Sequence, residues 1–222
     1  MGPRKKRKKR VLTITDDDIV AVGGDLSADT LIQAYEVGIF PWPMTELALI
    51  PWFSPHVRAV VDFSDLHISR SLAKARKKLG YTCTIDKAFE DVLEGCAEAE
   101  RPGQDGTWIT PDMFKAYLEL HARGVAHSVE VWDDHGGLVG GIYGVASKNY
   151  FSAESMFYRK DYASKIALLY LIEHLKERGL EWLDIQVMTE HMEKMGAKNI
   201  SRKEFMGRLK KTPTLELFSP LK

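Results

Sequence analysis

The chain has 222 residues, 45% of them hydrophobic, with 31 basic and 31 acidic side chains. That is enough apolar material for a packed core, which excludes a disordered or collagen-like chain. No run approaches the ~18 apolar residues of a membrane span, no apolar leader segment opens the chain, and two scattered cysteines fit neither a metal pair nor a C-x-x-C redox spacing.

Cys83 and Cys96 in that setting point to a reducing cytoplasm. The neutral total hides an asymmetry. Residues 4–10 hold seven Lys and Arg and no acid; without them 24 basic residues face 31 acidic ones, a body near −7. Like charges repel and nothing apolar anchors this segment, so residues 1–10 are expected to be a disordered basic tail. Such a tail serves as a nucleic-acid arm, a localisation signal or a solubilising segment. Lys6 stands where a myristoylation signal needs Ser or Thr.

In chain order, Ser27 caps a predicted helix over 28–37, with Gly38 as its stop. Residues 38–42 and 51–55 are aromatic and proline-rich and show neither helical nor strand periodicity. They read either as a packing corner or as a wall of rings for stacking. A strand is predicted over 57–63 and a helix over 65–79. On that helix Arg70, Lys74, Lys77 and Lys78 share one face, with Leu66, Leu72, Ala73 and Leu79 opposite. A basic stripe is a solvated face or a track for phosphates.

A strand follows at 81–85 and a helix at 87–97, then a loop at 101–106. Thr110-Pro111 opens a helix that runs to Arg123 and stops at Gly124. Strands at 126–132 and 138–147 flank the hairpin signal Asp133-Asp134-His135-Gly136-Gly137. Gly140-Gly141 inside a strand marks a bulge or a close approach.

Residues 150–158 read as a strand that runs into a helix beginning near Ala163. Glu154 lies within it among apolar neighbours. It is either a Glu on the outer face of an edge strand or a buried carboxylate with a task. Acyl-CoA acetyltransferases cradle a pyrophosphate at such a strand-to-helix turn, on a loop resembling Arg/Gln-x-x-Gly-x-Gly/Ala. Here the turn reads Arg159-Lys160-Asp161-Tyr162-Ala163-Ser164. Tyr162 stands at the first glycine and Asp161 adds a negative charge, so a donor other than coenzyme A is expected.

A strand is predicted over 181–186, with Asp184 and Gln186 on one face and Leu183 and Ile185 on the other. A turn and short helix follow over 187–196. Ser201-x-x-Glu204 is a capping box for a last helix. No P-loop, H-E-x-x-H or G-x-S-x-G motif occurs. His67, His127, His135 and His191 read as structural or surface histidines. These absences favour a reaction that needs positioning rather than a strong nucleophile on the protein.

Ten ordered blocks carry a resemblance. They are Gly23-Gly24-Asp25-Leu26, Ala34-Tyr35-x-x-Gly38-Ile39-Phe40-Pro41-Trp42, Ser54-Pro55, Leu66-His67-Ile68-Ser69-Arg70-Ser71 and Gly106-Thr107-Trp108-Ile109-Thr110. The series continues with His127-Ser128-Val129-Glu130-Val131-Trp132, Val139-Gly140-Gly141-x-Tyr143-Gly144-Val145, Glu154-Ser155-Met156-Phe157, Ala163-Ser164-Lys165 and Asp184-Ile185-Gln186. Together they resemble the bacterial leucyl/phenylalanyl-tRNA–protein transferases.

The resemblance implies an α+β fold. Its core is a mixed sheet with flanking helices, similar to the GCN5-related acyltransferases, and a small N-terminal domain is attached. It implies a tail over 1–10, an N-terminal domain over 11–64 and a catalytic domain over 65–222. The implied reaction moves leucine, phenylalanine or methionine from its tRNA to a protein beginning with Arg or Lys, marking it for proteolysis. The donor ester is already activated, so neither a cofactor nor a metal is expected. The enzyme is expected to be a cytoplasmic monomer without membrane contact. The alternatives are a coenzyme A-dependent acetyltransferase on the same fold and a non-enzymatic RNA-binding module.

By the same resemblance, Gln186 faces the reacting amine, Asp184 polarises Gln186, and Glu154 fixes the cationic acceptor. The donor side chain enters a pocket of Ile142, Met156, Leu168, Leu171, Leu175 and Leu183. Trp108, Tyr117 and the pair Trp52-Phe53 hold the terminal adenosine; for such a donor the stripe Arg70, Lys74, Lys77 and Lys78, read from its spacing, is expected to meet the RNA backbone. Phe53 and Ile185 stand where the family usually has tryptophan and cysteine.

Overall fold

The computed structural model describes residues 15–43, 49–99 and 107–218. The expected basic tail and the expected loop at 101–106 lie outside the described residues.

Strand β1 (Ile19–Val22) precedes helix α1 (Ala28–Glu36), and strands β2 (Phe40–Pro41) and β3 (Pro51–Phe53) follow. The three strands form an antiparallel sheet in the order β1-β3-β2. Residues 38–42 and 51–55 are therefore partly strand, although neither stretch shows a strand period. Strands of two and three residues are too short to display an alternating period. Instead Phe40, Trp52 and Phe53 are all buried. Ser27 caps α1 by accepting from the Thr30 N–H. Gly38 ends the helix at φ +75°, and a Cβ there would meet the Phe205 ring at 2.5 Å. Only glycine satisfies both conditions.

The larger sheet begins with β4 (Val57–Asp62), which pairs there although the sequence grouped it with the N-terminal part. Helix α2 spans Arg70–Lys78, five residues shorter at its start than predicted. A 3₁₀ turn at Phe63–Asp65 and an extended stretch precede it, and Ser69 supplies the cap. Leu72 anchors the helix, whereas Ala73 and Leu79 are exposed rather than on a buried side. Strand β5 (Thr82–Ile85), helix α3 (Phe89–Glu98) and helix α4 (Pro111–Ala122) come next. Thr110 caps α4 with proline at its first turn.

Strands β6 (Ala126–Trp132), β7 (Leu138–Ala146) and β8 (Phe151–Tyr158) form a meander that leads into helix α5 (Ala163–Glu177). The Gly140-Gly141 pair marks close approach: a Cβ on Gly140 would lie 2.6 Å from the Ala163 Cβ. Strand β9 (Trp182–Asp184), helix α6 (Glu190–Lys194), strand β10 (Lys198–Ser201) and helix α7 (Arg202–Lys211) complete the described chain.

The seven-stranded order is β10-β4-β9-β8-β7-β6-β5, antiparallel except at β8–β9. One core cluster joins α5 to one side of this sheet, through Ile166, Leu168, Leu171, Ile172 and Leu175. A second joins α1, α3 and α4 through Leu31, Leu93, Met113 and Tyr117. Each fully buried Leu contributes about 1.5–3 kcal/mol. The parallel strands β8 and β9 share one registered pair, Ser152 with Asp184. Beyond it they no longer pair. The space left past that point, on the described residues, holds the candidate site.

Candidate active site

Strand β8 lies between β7 and β9, so Glu154 is on an interior strand. Its carboxyl is ringed by protein atoms. Tyr117 Oη donates to Glu154 Oε2 at 3.2 Å, and Gln186 Nε2 donates to Oε1 at 2.9 Å. Tyr117 in turn shares a 2.7 Å hydroxyl contact with Tyr35. Burial pushes both phenols well up from their ordinary range. Burial likewise raises Glu154 to about 7, and the Tyr117 hydrogen bond, which favours its charged form, only partly offsets this.

That shift has a measurable consequence. Between pH 4.5 and about 7 the unfolded chain has lost a proton that folded Glu154 still holds. Folded stability then declines as pH rises through this window, by about 3 kcal/mol at 1.36 kcal/mol per pH unit. Glu154→Gln cannot titrate, so its urea stability should lack that decline. An unchanged pH slope in the variant would assign the titration elsewhere.

Strand β9 stops at Asp184, two residues earlier than predicted. Gln186 has φ +54°, and the Val187 N–H donates to the Ile185 carbonyl at 2.6 Å across it. This tight turn is a strained one for a side-chain-bearing residue, of order 1–3 kcal/mol. It is held by the Gln186 N–H on Asp184 Oδ1 at 3.1 Å and by the Ala59 N–H on the Gln186 carbonyl at 3.0 Å. Strand alternation therefore does not set the direction of the Gln186 side chain; the turn does. No hydrogen bond joins the Asp184 and Gln186 side chains directly. Ser152 stands between them, accepting from Gln186 Nε2 at 2.7 Å and donating to Asp184 Oδ2 at 3.1 Å.

Asp184 is fully buried, as is Arg58, which clasps it with Nε on Oδ1 at 2.9 Å and Nη2 on Oδ2 at 2.7 Å. Arg58 and Ser152 were not singled out from the sequence. An Arg in a strand with apolar neighbours, Ala59, Val60 and Val61, was the available signal.

Ile142, Met156 and Leu168 line a cavity of about 120 Å³, together with Ile185, Val187 and Met192 and the polar side chains Glu154 and Gln186. An apolar cavity of about 150 Å³ accommodates benzene, so this space suits one branched or aromatic side chain. Leu171, Leu175 and Leu183 lie in the adjoining core and do not line it.

Trp52 and Phe53 are buried in the small sheet, where Trp52 Nε1 donates to the Gly23 carbonyl at 2.8 Å and Phe53 stacks on Phe40. Trp108 stacks instead on Trp42, with ring centroids 5.8 Å apart, and meets Tyr117 edge-on at 6.4 Å. Trp42, half-buried, belonged to the quoted motif but was given no role. Arg70, Lys74, Lys77 and Lys78 are exposed on α2, and no described carboxylate pairs with them. Tyr162 takes φ +66° at the start of α5, the left-handed shape usual for glycine, yet keeps its ring.

His127 bonds Asp86 at 2.7 Å and the Gly124 carbonyl at 3.1 Å, a structural tie. His67 is exposed and His191 lies on α6. No helix among the described residues is long and apolar enough to cross a membrane.

Residues 60–210 match the family described as leucyl/phenylalanyl-tRNA protein transferase, and residues 24–56 match its N-terminal domain. A leucyl/phenylalanyl-tRNA–protein transferase of Maridesulfovibrio salexigens is 46% identical over 193 residues, covering 87% of this chain and 80% of its own length. One from a Pseudomonas fluorescens strain is 52% identical over 192 residues, covering 86% and 84%. Among solved structures, FemX aligns with a TM-score of 0.50 at 11% identity, over 78% of this chain and 66% of its own. That likeness concerns the fold alone, the expected α+β architecture of a mixed sheet with flanking helices. The two family matches together span nearly the whole described chain, and the chain belongs to the leucyl/phenylalanyl-tRNA–protein transferase family of aminoacyltransferases.

Proposed function

We propose that this chain transfers leucine or phenylalanine from its tRNA to the α-amine of proteins beginning with Arg or Lys. The observation that carries the reading is a hydrogen-bonded carboxyl–carboxamide pair, half-buried Glu154 and buried Gln186, in the wall of a largely apolar cavity sized for one side chain. The cavity takes the donor side chain and leaves the ester carbonyl at the pair. Gln186 Oε1 accepts a hydrogen bond from the incoming neutral amine, and Glu154 pairs with the acceptor's cation. The amine nitrogen bonds to the carbonyl carbon, the ester C–O bond breaks, and the ribose hydroxyl leaves carrying the proton. Holding the two reactants together supplies most of the rate, since the ester is already activated.

The stacked Trp42 and Trp108, with Tyr117 behind them, are the platform for the terminal adenosine in place of Trp52 and Phe53. The unpaired cations of α2 track the acceptor stem, an interaction that salt weakens. Methionine is a third donor of similar size. The enzyme works as a cytoplasmic monomer, its product enters regulated proteolysis, and the N-terminal unit ends before β4 rather than at residue 64.

The direct assay is incubation with labelled phenylalanyl-tRNA and a peptide beginning with Arg. Label should pass to that peptide and not to one beginning with Gly; equal labelling of both would remove the acceptor assignment. A sharper check concerns the cavity. Met156→Ala enlarges it and should shift the donor ratio toward phenylalanine over leucine. One methylene in such a pocket is worth about 1–3 kcal/mol, so a change in ratio rather than a switch is expected. A folded variant with the wild-type ratio would make Met156 part of the core only.

A further inference from the structure

We propose that Ser152 fixes which end of the Gln186 carboxamide faces the reacting amine. The inference rests on the reading that Gln186 meets the acceptor's α-amine. A carboxamide offers an acceptor oxygen at one end and an NH₂ donor at the other, in nearly the same shape. Only the oxygen helps the reaction. A flipped amide would donate into the nitrogen lone pair that must attack the ester.

The orientation is set from behind. The Arg58 guanidinium is gripped between the Phe40 and Phe205 rings, at 4.6 and 4.5 Å, and donates to the Gly38 carbonyl at 3.1 Å. It holds both oxygens of Asp184 in a forked ion pair. A carboxylate so paired only accepts. Ser152, fully buried, therefore gives its one hydrogen to Asp184 Oδ2. Its lone pairs are left for Gln186, and they accept only a donor. The Gln186 nitrogen meets them at 2.7 Å and sends its second hydrogen to Glu154. Gln186 lines the cavity, and no hydrogen bond to its Oε1 is formed among the described residues, which leaves the oxygen for the amine.

Glu154 does not impose this orientation by itself. A neutral carboxyl presents either a hydrogen or a lone pair to the amide, whereas a carboxylate presents lone pairs alone. The titratable and charged groups around Glu154 are Tyr35, Tyr117, Tyr150, Asp184 and Arg58. Below about pH 7, where Glu154 is protonated, Ser152 alone excludes the flipped amide. Above it, Glu154 and Ser152 act together. Ser152 is thus a positioning residue whose importance depends on pH.

The test measures kcat and KM for wild type, Ser152→Ala, Gln186→Ala and the double variant, with phenylalanyl-tRNA and an Arg-peptide, from about pH 6 to 9. For Ser152→Ala we expect kcat to fall about tenfold near pH 6.5 and about threefold near pH 8.5, with KM within about twofold. In the Gln186→Ala background Ser152→Ala should cost nothing more, because the two act through one group. A uniform loss at all pH values, an equal loss in the Gln186→Ala background, or an unchanged kcat overturns the proposal. Wild-type turnover by Gln186→Ala alone would instead overturn the underlying reading of Gln186, a distinguishable result. Should Ser152→Ala fail to fold, Ser152→Cys preserves the shape with a weak acceptor and should give the same pH signature.

Discussion

Gln186→Ala should lower kcat for aminoacyl transfer at least about 100-fold while leaving the KM for aminoacyl-tRNA nearly unchanged. The side chain touches Ser152 and Glu154 but no group assigned to the adenosine platform. Its loss therefore removes an interaction made with the acceptor amine as it becomes bonded, not one that binds the donor. The neutral amine, with an ordinary pKa of ~7.7–8.0, is the reactive form, so the comparison belongs near pH 8. A variant within threefold of wild type, roughly 0.7 kcal/mol of barrier, would take Gln186 out of the chemistry.

Asp184→Ala carries a second cost that the sequence did not reveal. Activity should fall, and stability should fall with it by about 3–5 kcal/mol, because the buried Arg58 charge loses its partner. Ser152 and the Gln186 N–H lose an acceptor in the same step. Urea unfolding of Asp184→Ala and of Arg58→Met with Asp184→Leu separates the two effects. The apolar double variant should recover most of the stability and none of the activity, since a buried ion pair replaced by packed apolar groups is often neutral. A stable Asp184→Ala protein would mean that Arg58 finds other compensation. A double variant with wild-type turnover would remove the pair from catalysis.

The long elements were legible in the sequence because each showed its own period or cap. Thr110-Pro111 fixed the start of α4, and the β6–β7 hairpin followed from its Asp-Gly turn residues. The Leu168, Leu171 and Leu175 spacing marked α5 as a buried helix, but spacing on one face does not separate a cavity wall from a core. Leu168 lines the cavity while the other two pack beneath it. Short elements were hidden for a different reason. β2 and β3 have too few residues to alternate, and tertiary burial of Phe40 and Phe53 makes them strands.

The candidate site was legible as residue types and opaque as connections. Glu154, Asp184 and Gln186 stood out as polar residues in apolar surroundings. Their linkage runs through Ser152 and Arg58, which join them from 32 and 126 residues away along the chain from Asp184. No local pattern reports such a contact. The turn at Gln186 was equally invisible, because a non-glycine residue at positive φ carries no compositional mark. Likewise the stacking of Trp42 on Trp108 joins segments separated by the whole of β3 to α3.

The central claim is direct attack of the acceptor amine on the donor ester, positioned by Glu154 and Gln186 with no covalent intermediate on the protein. It is tested by single-turnover mass spectrometry with enzyme in excess over phenylalanyl-tRNA, before and after addition of an Arg-peptide. The account predicts that the enzyme mass never changes and that the peptide gains one phenylalanyl residue at its α-amine. A phenylalanyl adduct on the enzyme before the peptide is added, or a peptide left unmodified, would contradict it.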